Sequence, residues 1–230
     1  MPEFLKYGDP AALKRLYEDI IYRDIAARHE IRDIRALREL GLYFFSTMGN
    51  LFNFNRLKGF LGVGSVNTVK SYTQHFEDAF LLFTVKGFSS SLKHQFITPR
   101  KIYCVDNGIN NAVSFRFSKD RGRFVENIVA VELKRRGKEI YYYRTAKNRE
   151  VDFAIREAER ITALIQVSTD MSKSTTRERE ILALSDAMDE IKLKHALLLT
   201  EDEETTLTLD RKLVTVKPLY RWLLEKEKRS

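Results

Sequence analysis

Four positions in the second half of the chain have side chains whose types and spacing suit joint chemistry. They are Glu126 in a stretch of helical periodicity, Asp152 in the run EVDF, and Gln166 and Ser168 in IQVS. Successive residues of a strand point to opposite faces, so Asp152 lies opposite Val151 and Phe153, while Gln166 and Ser168 share a face opposite Ile165 and Val167. If those strands are neighbours and the helix packs over their polar ends, Glu126, Asp152 and Gln166 converge. Two carboxylates and an amide carbonyl are hard oxygen ligands that suit Mg²⁺ or Mn²⁺, with water and phosphate completing the shell. Such an ion would polarise a scissile phosphate and activate water. The bland alternative is that Asp152 and Glu126 only pair with Arg144, Arg149 or Lys147, and spacing alone leaves both readings open.

The elements that must position these residues begin after Asp120. Arg123 to Arg136 reads as a helix, with Phe124, Val125, Ile128, Val129, Val131 and Leu133 on its apolar face and Gly137 as its cap. EIYYYR, EVDFAIRE and ITALIQVS read as three strands, followed by a helix from about Thr176 to Asp189 in which Thr175 and Glu178 form a capping box. HALLLT is a buried strand and PLYRWLL a closing helix, so the expected order is α-β-β-β-α-β-α.

The first half has a different grammar. Residues 1–30 read as a helix from the three- and four-residue steps of Leu13, Leu16, Ile20 and Ile21, a segment too short to be a domain. Ile31, Ile34, Leu37, Leu40 and Leu42 to Phe45 make a second helix, and Asn53 to Leu61 a third. After the glycine turn Gly62-Val63-Gly64, Ser65 caps a helix carrying Val66, Val69, Tyr72, Phe76 and Phe80 at helical spacing. LLFTVKGF and RKIYCVD read as a hairpin across a polar connection. Helix, helix, glycine turn, helix, hairpin over residues 31–119 is the order of a winged helix-turn-helix, whose second helix enters the major groove. Asn67, Lys70, Ser71 and Gln74 then occupy the polar face of the recognition helix, beside His75, and Lys86 and Lys93 sit on or near the wing. Short polar and basic side chains suit phosphate contacts and modest base readout on double-stranded DNA. A winged helix used for protein contacts or self-association is the competing reading, because fold does not fix function.

Composition bounds the choice. With 43% hydrophobic residues and a net charge of +8, the chain is globular rather than disordered. From Gly41 to Lys119 nine Lys and Arg face three Asp and Glu, and from Arg121 to Arg149 the count is again nine against three, so a positive face for a polyanion is available. The single Cys104 excludes an intramolecular disulfide. No run approaches the roughly 18 to 20 apolar residues of a membrane span, so a cytoplasmic protein with no membrane partner is expected.

GRFVENIVAVELKRRG, YYYR, EVDFAI, ALIQVS and TRERE, together with SVNTVKSYTQHFEDAFLL and KIYCVDNGINNA, resemble the C-terminal region of an archaeal and bacterial family of AAA-type P-loop ATPases. The resemblance covers essentially the whole chain. It implies a helical end of the ATPase part over 1–30, a winged helix over 31–119, and over 120–230 an α/β domain similar to the PD-(D/E)XK, restriction-endonuclease-like core of unknown function. The chain has no G-x-x-x-x-G-K-[ST], so ATP binding in the family's manner is not expected, and a P-loop ATPase domain becomes an expected partner. Glu126 matches the helix acid of the nuclease pattern and Asp152 its aspartate, whereas Gln166 and Ser168 stand where acid and lysine belong. Losing a positioned acid–base group costs on the order of 10² to 10⁴ in rate, which implies a weakened or inactive nuclease with Mg²⁺ or Mn²⁺ as its cofactor if any activity survives. The expected role is an accessory region that binds DNA or a partner protein; an active Mg²⁺-dependent endonuclease and a protein-interaction module are the alternatives.

Overall fold

Asp33, Asn53, Ser65 and Asp106 each precede an apolar-periodic run, and in the computed structural model each caps a helix, its side-chain oxygen accepting a backbone N–H two or three residues on. The structure describes residues 10–115, 121–169, 171 and 174–225. The chain is a mixed α/β protein that divides into two units, Met1–Thr84 with Pro99–Lys119, and Val85–Thr98 with Asp120–Ser230.

In the first unit, α1 (Pro10–Asp19) continues as a π-helical stretch, Ile20–Ala27, where one continuous α-helix was expected. Ile21 and Ile25 remain fully buried through the widened turns, so the apolar four-residue step survives the change of helix type. Then follow in the chain α2 (Ile34–Ser46), β1 (Leu51–Phe52), α3 (Phe54–Leu61), α4 (Val66–Asp78), β2 (Leu82–Lys86), α5 (Leu92–Ile97), β3 (Arg100–Cys104) and α6 (Asn107–Val113), of which α5 and the end of β2 belong to the second unit. Gly62 ends α3 at φ 65°, a conformation that suits a residue without a Cβ. The three strands order β1-β3-β2, with β1 antiparallel to β3 and Leu51 opposite Lys101. The connection between β2 and β3, expected as a polar loop, contains α5, started by the Ser91 cap. Phe44, Phe45, Val69, Phe76, Ile102 and Tyr103 are fully buried. Gly41 lets α2 approach its neighbours, since a Cβ there would stand 2.9 Å from the Phe76 ring and closer still to the Tyr17 hydroxyl.

The second unit comprises α7 (Arg121–Arg135), β4 (Glu139–Arg144), β5 (Glu150–Glu157), β6 (Arg160–Val167), α8 (Ser174–Ile191), β7 (His195–Thr200), β8 (Thr205–Leu209), β9 (Lys212–Pro218) and α9 (Leu219–Leu224). Its six strands order β4-β5-β6-β7-β9-β8. β4, β5 and β6 form an antiparallel meander; α8 then carries the chain across so that β7 runs parallel to β6, and β9 parallel to β7. The expected order lacks β8 and β9, although LTLDRKLVTV alternates like a hairpin and Asp210 turns at φ 54°. α8 is already helical at Ser174, which places Thr175 inside the first turn rather than at the expected cap position. Val151, Ala154, Leu164, Leu184, Met188, Leu198, Val214 and Val216 form the core between the sheet and α8. Segment Val85–Thr98 packs with this unit: the Phe88 N–H donates to the Tyr142 carbonyl at 2.8 Å, beside a parallel bridge between Gly87 and Tyr142.

At the end of α7, Glu132 accepts from Arg135 and Arg136, and Arg136 lies 4.4 Å from the Trp222 ring centroid while donating to the Trp222 carbonyl at 2.9 Å. The Arg135 hydrogen bond, aided by Arg136 against the cost of burial, holds the Glu132 carboxyl down to about 2, well below its ordinary 4.5.

Gly41→Ala overpacks the first core and lowers its stability by about 1–3 kcal/mol, read as a lower urea midpoint at unchanged m-value. A depressed carboxyl stabilises above its unfolded pKa, so the Glu132 contribution is complete above about pH 4.5 and fades as the pH falls towards 2. Glu132→Gln should therefore flatten the stability–pH curve in that window, and an unchanged slope would show that the pair contributes nothing there.

Candidate functional site

The meander comes apart at one place, and the candidate residues gather there. β5 and β6 pair from Glu157 opposite Arg160 to Phe153 opposite Ile165, and beyond that point β6 pairs with β7 alone, Gln166 lying opposite Leu198. Side chains take over from the backbone ladder: the Asp152 N–H donates to Gln166 Oε1 at 3.0 Å, and the Val167 N–H donates to Asp152 Oδ2 at 3.1 Å. The amide of Gln166 then donates through Nε2 to Glu180 Oε2 on α8 at 2.5 Å, and Glu180 Oε1 accepts from Arg179 Nη2 at 2.6 Å. Asp152, Gln166 and Glu180 are 9%, 5% and 7% exposed, and a buried polar group must be paired in this way to be tolerated.

These residues line a cleft of about 460 Å³ with Glu126 and Arg123 from α7, Arg149 from the β4–β5 turn, and Arg179 from α8. Glu126, Asp152 and Gln166 thus meet in one place. Ser168 does not line the cleft: β6 ends at Val167, strand parity no longer governs the next residue, and the buried Ser168 donates its N–H to the Leu199 carbonyl at 2.9 Å. Of the cations weighed as partners for the two acids, Arg149 and Lys147 pair with Asp186, and Arg144 pairs with Glu150.

Glu180 was missed in the sequence. Its signal is a carboxylate on the same helical face as Ala183, Leu184 and Ala187, an apolar stripe in which an acid is out of place. Burial pushes its carboxyl up, the Arg179 hydrogen bond opposes the rise, and the charge of Asp152 adds to it. Among the described residues, no group of three or more His, Cys, Asp and Glu is placed to hold a metal ion. The Gln166 carbonyl, offered by the sequence as a third ligand, accepts from the Asp152 N–H, which uses one of its two lone pairs.

In the first unit, Asn67, Lys70, Ser71 and Gln74 share one exposed face of α4 at steps of three, four and seven residues. Lys70 Nζ lies 5.9 Å from the Phe54 ring centroid, Gln74 donates to Asp78 at 2.9 Å, and Ser71 Oγ is 3.1 Å from His75 Nε2. The imidazole of His75 stacks on that of His29 with centroids 3.7 Å apart. In the second unit, Lys93 is exposed on α5 and Lys86 Nζ lies 5.5 Å from the ring centroid of Phe96.

Gln166→Leu strands the buried Asp152 N–H and removes the donor to Glu180 Oε2, and should cost the second unit about 1–3 kcal/mol. Denaturant titration of this variant beside Ser168→Ala checks the claim, since Ser168 uses only its backbone in the contact described and its variant should lose less.

Residues 1–120 match a domain of unknown function, DUF8612, and residues 121–222 match a second one, DUF4143. An uncharacterized protein of Methanocaldococcus jannaschii is 35% identical over 225 residues, 92% of this chain and 49% of its own length. An uncharacterized protein of Haemophilus influenzae is 28% identical over 180 residues, 76% of this chain and 44% of its own length. The chain therefore spans about half the length of the curated relatives it matches. No solved structure matches it. With the first of these matches covering 120 of its 230 residues, the chain belongs to the DUF8612 family and continues into a DUF4143 domain.

Proposed function

We propose that the chain is the docking region of an AAA-type P-loop ATPase: a winged helix that holds double-stranded DNA through α4, followed by a PD-(D/E)XK nuclease-like domain whose chemistry has decayed. The observation that carries the reading is the α4 face, where Asn67, Lys70, Ser71 and Gln74 are all exposed on a helix fixed by the Ser65 cap. Polar and cationic side chains in such a row contact phosphates and base edges when a helix lies in the major groove. The order α2-β1-α3-α4-β2-β3, with β3 between β1 and β2, supports a winged helix.

For the second unit, support comes from a helix, an antiparallel three-strand meander, a crossover helix and a parallel strand, with Glu126, Asp152 and Gln166 on one cleft. Decay is supported by the same cleft, because Gln166 carries no charge and its carbonyl is engaged, while Ser168 contributes no cation to the wall. The ATPase association rests on the resemblance and on relatives about twice as long as the chain, which have room for a further domain.

Retention of labelled duplex DNA, measured at two salt concentrations with and without Mn²⁺, tests the proposal. If α4 and its surroundings neutralise about four phosphates, log K falls against log salt with a slope near −3.6, Lys70→Glu reduces retention, and the DNA stays intact. Absence of retention at low salt would refute the docking role. Cut ends that disappear in Asp152→Ala would instead make the chain an endonuclease.

A further inference from the structure

Segment Val85–Thr98 interrupts the first unit in sequence but is built into the second, and its tip is unlike an ordinary loop. Its base is locked. Gly87 lies so close to the ring of Tyr142 that a Cβ would stand 2.8 Å from it, the Phe88 N–H donates to the Tyr142 carbonyl, and the Phe88 ring meets Tyr141 edge-on at 5.7 Å. The tip is braced as well. Gln95 Nε2 donates to the Ser89 carbonyl at 2.6 Å, Ser91 caps α5, and Thr98 Oγ1 donates to the His94 carbonyl at 2.9 Å.

What this braced tip presents is apolar and basic. Phe96 and Ile97 are 66% and 63% exposed, Lys93 is exposed beside them, and Lys86 lies over the Phe96 ring at 5.5 Å. The whole segment contains no Asp or Glu. Holding two large apolar side chains in water is unfavourable, and an apolar pair flanked by two lysines suits an anionic partner that also has apolar faces.

We propose that this tip binds single-stranded nucleic acid, with Phe96 stacking on an unpaired base and Lys86 and Lys93 meeting the flanking phosphates. This contact presupposes the nucleic-acid role proposed above and adds a second ligand form to it. In a duplex the base faces are stacked on one another, so a duplex would satisfy the lysines and leave Phe96 and Ile97 in water. An unpaired base offers a π-face of the right size, and base–aromatic stacking next to a cation is the recurrent mode of single-strand binding. A membrane surface fits less well, because α5 is six residues long and displays two large apolar groups rather than a continuous apolar face.

The test uses the full chain and fluorescence anisotropy with three probes: a labelled oligothymidine, a duplex of equal length, and vesicles of phosphatidylcholine with phosphatidylserine. Phe96→Ala should weaken single-strand binding about tenfold and leave duplex binding and the unfolding midpoint unchanged, while Phe96→Tyr keeps the single-strand affinity. Unchanged single-strand affinity in Phe96→Ala, with duplex binding intact, would overturn the tip contact and leave the α4 reading standing. Phe96-dependent binding to vesicles but not to oligothymidine would overturn it in favour of a membrane surface. Failure of the unaltered chain to bind either nucleic acid would remove the nucleic-acid role itself.

Discussion

A sheet that is antiparallel on one side and parallel on the other must change partners somewhere, and backbone groups at the change are at risk of burial without hydrogen bonds. Here the risk falls at the end of the β5–β6 ladder, and the Gln166 amide meets it. Its oxygen serves β5 and its nitrogen serves α8, so one neutral side chain joins meander and crossover helix. A carboxylate in its place would have an acceptor for the Asp152 N–H but nothing to donate to Glu180, and would set a third acid beside two others in a poorly solvated cleft. The uncharged Gln166 thus adds no further negative charge to a cleft that already holds Asp152 and Glu180.

Arginine is the other half of that solution. Arg149 pairs with Asp186 and Arg179 with Glu180, so two of the arginines at the cleft are engaged with carboxylates of α8. Exposed pairs of this kind contribute little stability, but pairs sharing a carboxylate with a buried amide fix its geometry. The same economy appears at the far end of α7, where Arg136 joins an acid, an indole face and a backbone carbonyl in one place and holds α9 against the domain.

Much of this was legible in the residues. The alternation in EVDFAIRE and ITALIQVS gave strand parity, and parity together with the pairing of the two strands brings Asp152 and Gln166 to one cleft. It failed two residues later, at Ser168, because parity ends where the strand ends, at Val167. Glu180 was hidden because TRERE reads as a solvated charge run, and only packing singles out the one glutamate that faces inward. β8 and β9 are weakly marked, since Thr-rich and Lys-containing strands have low apolar contrast, and so is α5, whose six residues are too few for a helical period to show. The π-helical stretch left no trace, as Ile21 and Ile25 at a four-residue step satisfy an α-helix equally well.

The anchoring of Phe88 on Tyr142 bears on how such a chain can be rearranged over generations. The two family matches meet between residues 120 and 121, yet the second unit draws Val85–Thr98 from within the first match. A recombination at that junction would carry away the sheet edge that receives Gly87 and Phe88, leaving one partner with an undocked aromatic and the other with an uncovered strand. Interleaving of this kind links the inheritance of two regions that sequence comparison separates, and a lineage that kept only one would have to redesign the edge of β4 or the segment that covers it.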